Sequence, residues 1–440
     1  MNILILHSAR FEAIAYDQAI DHEKHTVVYI GLKEKLEQIP SDLRCTKIER
    51  TGEASLFDEA EEAIVKLGLA FDFLICVTEY DLMDAACLRQ RFHIAGPWPE
   101  QAEKVRNKIV MKRCVADAGI RIPQFLSLEQ WLSGDGLAIA SECAVIIKPI
   151  DGASATNVLR FDNQAVLRRA LREKCTGISL LDEDSSAHYA SFEVEEYIDG
   201  RVLHIDGIVK NGELQIVMVS RYLNTMLDFA HGKPSASIQL GSDVVRQDWI
   251  ARILASVEIR QGAFHLEVID SAAGMVFLEV AHRVGGGWTT ESFGRKTGIH
   301  LSIADIKTII DLDYVLHPVW DTSNYFGDFM VPAHHLNKPF CRVSGYEYLL
   351  ASDKLLILNR LDSAKAVPGK VSYVDTLLPL TGLLRGGSPE ELQAVFEELF
   401  DRVVVEGFNE PPRQAGHENE GLSFQATLNE SVVPAKAGTQ

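Results

Sequence analysis

The chain has 440 residues, 47% of them hydrophobic and 24% charged, which excludes wholesale disorder and is enough for about three lobes with cores of their own. The formal net charge of −19 argues against a nonspecific binder of nucleic acid or of an anionic membrane, since both need a broad basic face; a local basic pocket remains allowed. No apolar run approaches the ~18–20 residues that span a bilayer. The seven cysteines are scattered without a CxxC, as expected of reduced thiols in a cytoplasmic protein.

Met1–His7 has no basic leader and reads as a first strand, not a signal peptide. Asn2–Leu6, Thr26–Ile30 and Phe71–Val77 are short apolar runs and read as buried strands. Helices are expected over Asp58–Leu67 and Asp84–Phe92. Such alternation predicts a small open α/β sheet. The third strand ends in Thr78-Glu79-Tyr80-Asp81, and polar groups at that end of a strand are where open α/β sheets bind ligands. No GxGxxG follows the first strand, which argues against a dinucleotide site there.

Gly96-Pro97-Trp98-Pro99 is a break. Beyond it Ala102, Val105, Ile109 and Ala116 share one face of a helix that ends at Gly119. From Val145 to about His300 strands dominate: Val145–Lys148, Phe192–Tyr197, Leu203–Val209, Leu214–Val219, Phe264–Ile269 and Met275–Val280. Asn211-Gly212 between two of them is a hairpin signal. Helices and strands mix from Leu301 to Phe408, with an amphipathic helix over Pro389–Val404, and the polar residues from about Pro411 are expected to be disordered. The fold class is α/β and α+β.

The most informative pair is Glu267 and Glu279. Strand parity leaves His265 and Glu267 on one face of their strand, with Phe264, Leu266 and Val268 buried on the other. In the next strand Val276, Leu278 and Val280 are expected to be buried, leaving Phe277, Glu279 and Ala281 opposite. A turn centred near Ala273 sets Glu267 directly across from Glu279. Like charges so placed destabilise a sheet unless a cation lies between them, and carboxylates with phosphates suit Mg²⁺. Arg283 has the same parity as Glu279, if the strand continues that far, and Gly285-Gly286-Gly287-Trp288 follows it. Successive glycine N–H groups can form an anion-binding nest. Lys148 emerges from a core strand toward a phosphate, and Asp151–Asn157, containing Ser154, could close over it as a flap. The edge at Glu196–Ile198 could pair with an adenine whose amino group, or a ribose hydroxyl, meets Glu195 or a nearby acid.

In order along the chain, these residues resemble the ATP-grasp superfamily. Arg106-Asn107-Lys108 with Met111-Lys112 is similar to its lysine helix, and Ala118–Pro123 to the segment that follows. Lys148-Pro149 resembles its second nucleotide lysine, and Glu195–Gly200 its adenine-binding linker. His265-Leu266-Glu267 and Leu278–Arg283 resemble its metal-binding strands and catalytic arginine. The resemblance spans about Pro97 to His300. It implies an N-terminal α/β domain over 1–100, a two-lobed ATP-grasp domain over 101–300, a C-terminal α+β domain over 301–410 and a tail over 411–440.

The resemblance also implies ATP and Mg²⁺ (or Mn²⁺) as cofactors, with no organic prosthetic group. Lys108, Lys148, Ser154, Glu195, Glu196 and Ile198 would hold the nucleotide, Glu267 and Glu279 the metal, and Arg283 an acyl phosphate. Val202 stands where relatives have a ribose-binding glutamate, so His204 or Asp206 is expected there instead. Ala281 replaces a usual asparagine, and Asn107 a usual aspartate. Glu279-Val280-Ala281-His282-Arg283 before glycines is similar to the branch with L-amino-acid ligases. Arg221 is a candidate clamp for an α-carboxylate. Gly286, Gly287 and His282 are candidates near the substrates, with His282 off the glutamate face, and Trp288 either walls a side-chain pocket or is core. The implied reaction joins a small-molecule carboxylate and an amine, amino acids above all, in the cytoplasm; a homodimer is compatible with it. The alternatives are activation of bicarbonate, formate or another small acid, and a nonenzymatic nucleotide-binding protein.

Overall fold

The computed structural model describes residues 1–183 and 185–412, and the backbone alone of 135, 185, 186 and 423–425. The disorder expected from about Pro411 falls almost wholly outside these residues. The fold is mixed α/β and forms two compact units. The first comprises Met1–Val219, Gly241–Gly285 and Leu301–Val315; the second comprises Ser220–Leu240, Gly286–His300 and the described residues from Leu316 on.

The first unit begins with a parallel sheet in the order β3-β2-β1-β4, built from β1 (Asn2–His7), β2 (Thr26–Gly31), β3 (Thr46–Glu49) and β4 (Phe73–Cys76). Ile3, Ile5, Tyr29 and Ile75 pack on one face and Leu4, Leu6, Val28 and Leu74 on the other. Burial of both faces is why these strands read as unbroken apolar runs. β3 carries no such run because it is a short, largely exposed edge strand. The helices Leu56–Leu67 and Leu82–Phe92 correspond to the two expected ones.

The single helix expected after the Gly-Pro break is two helices, Pro99–Arg106 and Lys108–Asp117. Asn107 is extended (φ −94°, ψ 106°), and its side chain accepts from the amides of Ile109 and Val110. Asn107, where relatives have aspartate, is thus an N-cap and starts the helix that carries Lys108.

A four-stranded antiparallel sheet follows in the order β5-β8-β6-β7, from β5 (Phe125–Ser127), β6 (Val145–Pro149), β7 (Leu159–Phe161) and β8 (Phe192–Glu196). Next come β9 (Arg201–Lys210) and β10 (Glu213–Leu223), joined by Asn211 and Gly212 at φ 55° and 80°. Two left-handed residues are what a tight hairpin turn requires. β12 (Gly262–Ser271) lies between β9 and β13 (Gly274–Ala281). Glu267 pairs with Glu279 as expected, but the ladder then skips to Val268 opposite Phe277. The parity expected for β13 therefore fails over two residues: Phe277 is fully buried and Leu278 is the half-exposed bulge.

The helix Leu301–Ile310 places Ile306 and Ile310 in the core with Ile3 and Ile5. Its Asp305 is buried and accepts a 2.6 Å hydrogen bond from the Ala263 amide. Burial pushes this carboxyl up to about 6 despite that bond. An acid raised in the fold favours folding while protonated; the contribution is complete below about pH 4 and is lost as pH rises through about 6. Asp305→Asn is therefore expected to raise stability at pH 8, by up to about 3 kcal/mol, and to change it little at pH 4. Urea midpoints at the two pH values check this, and an equal effect at both would rule out the charge as the cause.

In the second unit the end of β10 pairs with β11 (Ser235–Gln239). β14 (Tyr325–Val331), β17 (Leu380–Gly386) and β16 (Leu355–Arg360) extend this antiparallel sheet, and β15 (Phe340–Ser344) pairs with β18 (Val404–Phe408). The helix Pro389–Arg402, capped by Ser388, buries Leu392, Phe396 and Leu399 at helical spacing against a core that includes Phe329.

Candidate active site

The lysines and carboxylates singled out in the sequence lie in the first unit. β8 is an interior strand, so Val194 enters the apolar core while Glu193 and Glu195 share the opposite face. Lys112 reaches that face from its helix. Its Nζ lies 2.6 Å from Glu193 Oε1 and 2.5 Å from Glu195 Oε2. Lys148 Nζ lies 2.7 Å from Glu195 Oε1 and 3.8 Å from Glu193 Oε1. All four side chains are at most 5% exposed. Burial opposes the charge on Lys148, but Glu195 and Glu193 outweigh it and hold the ammonium protonated well above its usual range. Burial likewise opposes the Glu195 carboxylate, and the two lysines overcome it.

The free edge expected at Glu196–Ile198 does not begin where the sequence placed it. The amide of Glu196 donates to the Gln124 carbonyl and that of Tyr197 to the Ala144 carbonyl. Glu196 Oε2 accepts from the Gln124 amide at 3.2 Å, and Ile198 is half-buried beyond the end of the strand.

Lys108 opens its helix with its own amide on the Ile150 carbonyl. Its Nζ donates to the Gly152 carbonyl at 2.6 Å and lies 3.1 Å from Glu279 Oε2. Burial opposes the charge on Glu279, but Lys108 and Lys148 draw its carboxyl down to about 2. Ser154, Ala155 and Asn157 of the flap hold φ of 61°, 52° and 58°, a region that favours glycine. The low glycine content of this loop is therefore strain carried by the backbone.

On β9 and β12 the pairs Glu267–His204 and His265–Asp206 face each other. Asp206 is fully buried and accepts from both histidines: His204 Nδ1 at 2.7 Å and His265 Nδ1 at 2.9 Å. His265 Nε2 lies 3.5 Å from Glu267 Oε1. Burial disfavours a charged His265, but Asp206 outweighs it and raises the ring to about 10. His204, Asp206 and His265 sit close enough together to suggest a metal site. For a hard cation such as Mg²⁺, the facing carboxylates Glu267 and Glu279 are a better donor set than two imidazoles with one carboxylate. Both are hard oxygen donors, and a cation between them would relieve their opposition in the ladder.

Arg283 lies just past β13. Its Nε and Nη2 meet Glu79 Oε2 at 2.8 and 2.6 Å, and its Nη1 donates to the Val284 carbonyl. Glu79 Oε1 meets Arg106 Nη1 at 2.6 Å, and Arg106 Nη2 donates to the Asp151 carbonyl. His282 turns away from this group. Its Nε2 donates to the Gln261 carbonyl at 2.7 Å, and burial lowers its pKa. The remaining candidates are in the second unit. Arg221 donates to Gln393 Oε1; Gly287 is left-handed after Gly286; Trp288 packs beside Phe326 and Leu383 and donates to Thr381 Oγ1.

Sequence reading missed Lys112 and Glu193 as members of the charged cluster. The signal was there: Lys112 is one helical turn beyond Lys108, and Glu193 is two strand residues before Glu195.

Residues 141–292 match the family described as the ATP-grasp domain. The chain carries an ATP-grasp domain. The matched segment contains Lys148, Glu193, Glu195, Glu267, Glu279 and Arg283. Glu79, Lys108 and Lys112 precede the matched segment. The chain is 28% identical over 275 residues to the L-arginine-specific L-amino acid ligase of Bacillus subtilis, covering 60% of this chain and 64% of that relative's length. Among solved structures it resembles an L-amino acid ligase from Bacillus licheniformis (TM-score 0.67, 17% identity, covering 93% of this chain and 99% of that one). It also resembles the N5-carboxyaminoimidazole synthetase of Staphylococcus aureus complexed with ADP (TM-score 0.62, 11% identity, covering 91% and 96%). At these identities the structural likeness speaks for the fold. Among the described residues, no helix is long and apolar enough to cross a membrane.

Proposed function

We propose that the protein is an ATP-dependent carboxylate–amine ligase of the cytoplasm. The carboxylate of one substrate takes the γ-phosphoryl group of ATP to give an acyl phosphate and ADP. The amine of the second then attacks the acyl carbon, loses a proton and expels phosphate, leaving an amide. Both substrates are proposed to be amino acids, so the product is of the dipeptide type. The domain division drawn from the sequence, with the nucleotide held within 101–300, belongs to the same reading.

The observation that carries the proposal is the grouping of Lys108, Lys148, Glu267, Glu279 and Arg283 in one compact unit, all but Lys108 within the segment that matches the ATP-grasp domain. Lys148 stays cationic while buried, so it can meet phosphate oxygens without paying for desolvation at the moment of binding. Lys108 has a flap carbonyl and Glu279 as partners, and both contacts can be exchanged for phosphate. Arg283 presents a fixed guanidinium where negative charge develops on the acyl group. Glu267 and Glu279 fit Mg²⁺ or Mn²⁺, which when bound neutralises charge on the transferring phosphoryl group.

The test is phosphate release with Mg·ATP across single amino acids and all their pairs, with mass spectrometry of products. Arginine-containing pairs come first because of the relative's specificity. Phosphate and a condensed product that depend on both acid and amine are the expected result. Release that depends on bicarbonate or formate without an amine, or ATP binding without turnover, would refute it.

A further inference from the structure

Glu79 has no part in the reading above, yet it is the most heavily bonded carboxylate beside the proposed catalytic arginine. It follows β4, far in sequence from β13, and its side chain is 10% exposed. Oε2 takes two donors of Arg283 and Oε1 takes Arg106. The Val284 carbonyl takes a third donor of Arg283. Three of the five N–H donors of the guanidinium are therefore spent on holding its plane, and the other two are left with fixed directions. An arginine side chain has many rotamers, and such clamping removes most of that freedom before substrate arrives.

We infer that Glu79 is a positioning residue that fixes the guanidinium of Arg283 for the acyl-phosphate step. The inference rests on the ligase reading. The same contacts would also exist if Glu79 merely filled the place of a substrate carboxylate, held by Arg106 and Arg283 until substrate displaces it. The two roles differ in kinetics. A positioning residue sets kcat. An occupant competes with the acid substrate, so its removal lowers KM and leaves kcat alone.

The experiment uses the full chain with Glu79→Gln, Glu79→Asp, Arg283→Lys, Arg283→Ala and the double variant Glu79→Gln/Arg283→Ala. The first readout needs no turnover: hydrogen exchange at the Arg283 Nε–H, followed by NMR of ¹⁵N-arginine-labelled protein and assigned by loss of the signal in Arg283→Lys. Glu79→Gln is expected to speed that exchange at least about tenfold, and unchanged exchange overturns the inference whether or not the protein is a ligase. The second readout is steady-state kinetics. Glu79→Gln is expected to lower kcat about 10–100-fold with KM for ATP within about twofold, Glu79→Asp to recover part of it, and the double variant to be no worse than Arg283→Ala. A lowered KM for the acid at unchanged kcat, or full additivity with Arg283→Ala, overturns the positioning role. Wild-type protein that condenses no acid and amine refutes the ligase reading, and with it the catalytic purpose of the clamp, even if the exchange result stands.

Discussion

Lys112→Met is expected to lower the stability of the first unit by about 3–5 kcal/mol, the usual cost of removing one partner from a buried ion group. Lys112 has no exposed side-chain surface and holds both Glu193 and Glu195. Methionine fills a similar volume, so the loss isolates charge from packing. Without Lys112, the buried carboxylates share Lys148 alone, 2.7 Å from Glu195 but 3.8 Å from Glu193. Oε2 of Glu193 already has no hydrogen-bond partner, which makes Glu193 the first group left without compensation. The variant removes one of the two lysines that hold Glu195 ionised against burial, so the deficit shrinks as pH falls toward 5 and grows toward 8. Denaturation midpoints of both proteins at the two pH values measure it. Adding Glu193→Gln should restore part of the loss. A variant as stable as the parent at pH 8 would mean that the cluster is not the buried ion group described here.

Glu279→Gln is expected to lower both turnover and stability. Turnover is expected to fall by about 100–1,000-fold, the range seen when one preorganised electrostatic group is removed from a site. Stability at pH 7 is expected to fall as well, by up to about 3 kcal/mol, because a carboxylate drawn down by Lys108 and Lys148 stabilises the fold while ionised. That loss is offset only in part, because glutamine ends the like-charge opposition with Glu267 in the β12–β13 ladder and Lys108 keeps the Gly152 carbonyl. The Mg²⁺ concentration needed for half-maximal rate should rise as well. Thermal melts and ADP release at several Mg²⁺ concentrations test all three expectations. Unchanged turnover would remove Glu279 from the chemistry and leave it a structural partner of Lys108.

The chain's own pattern made a good part of the scaffold legible. β1, β2 and β4 were visible because burial on both faces writes an uninterrupted apolar run. Asn211-Gly212 was visible because few residues tolerate two consecutive left-handed positions. The Glu267–Glu279 pair was expected from a turn centred near Ala273, but the turn pairs Ser271 with Gly274 and the bulge is what brings Glu279 opposite Glu267. Strand parity failed at Leu278, because a bulge adds one residue without any mark in composition. Periodicity also failed to show a helix break at Asn107, because an N-cap asparagine inside an apolar periodicity looks like one more polar residue.

Strand identity, the Asn211-Gly212 turn and the order of charged motifs were thus determined by the sequence itself, since each depends on neighbours within a few residues. Tertiary structure decided which charges meet. Lys112 and Glu193 are 81 residues apart, and Arg283 and Glu79 are 204 apart. Asp206 became the shared acceptor of two histidines because β9 and β12 align in one register. An ion pair gains its strength from the low dielectric of a packed interior and its geometry from the elements that converge there. Neither exists until the chain has folded, so no local pattern encodes the clamp on Arg283 or the buried ring around Lys112.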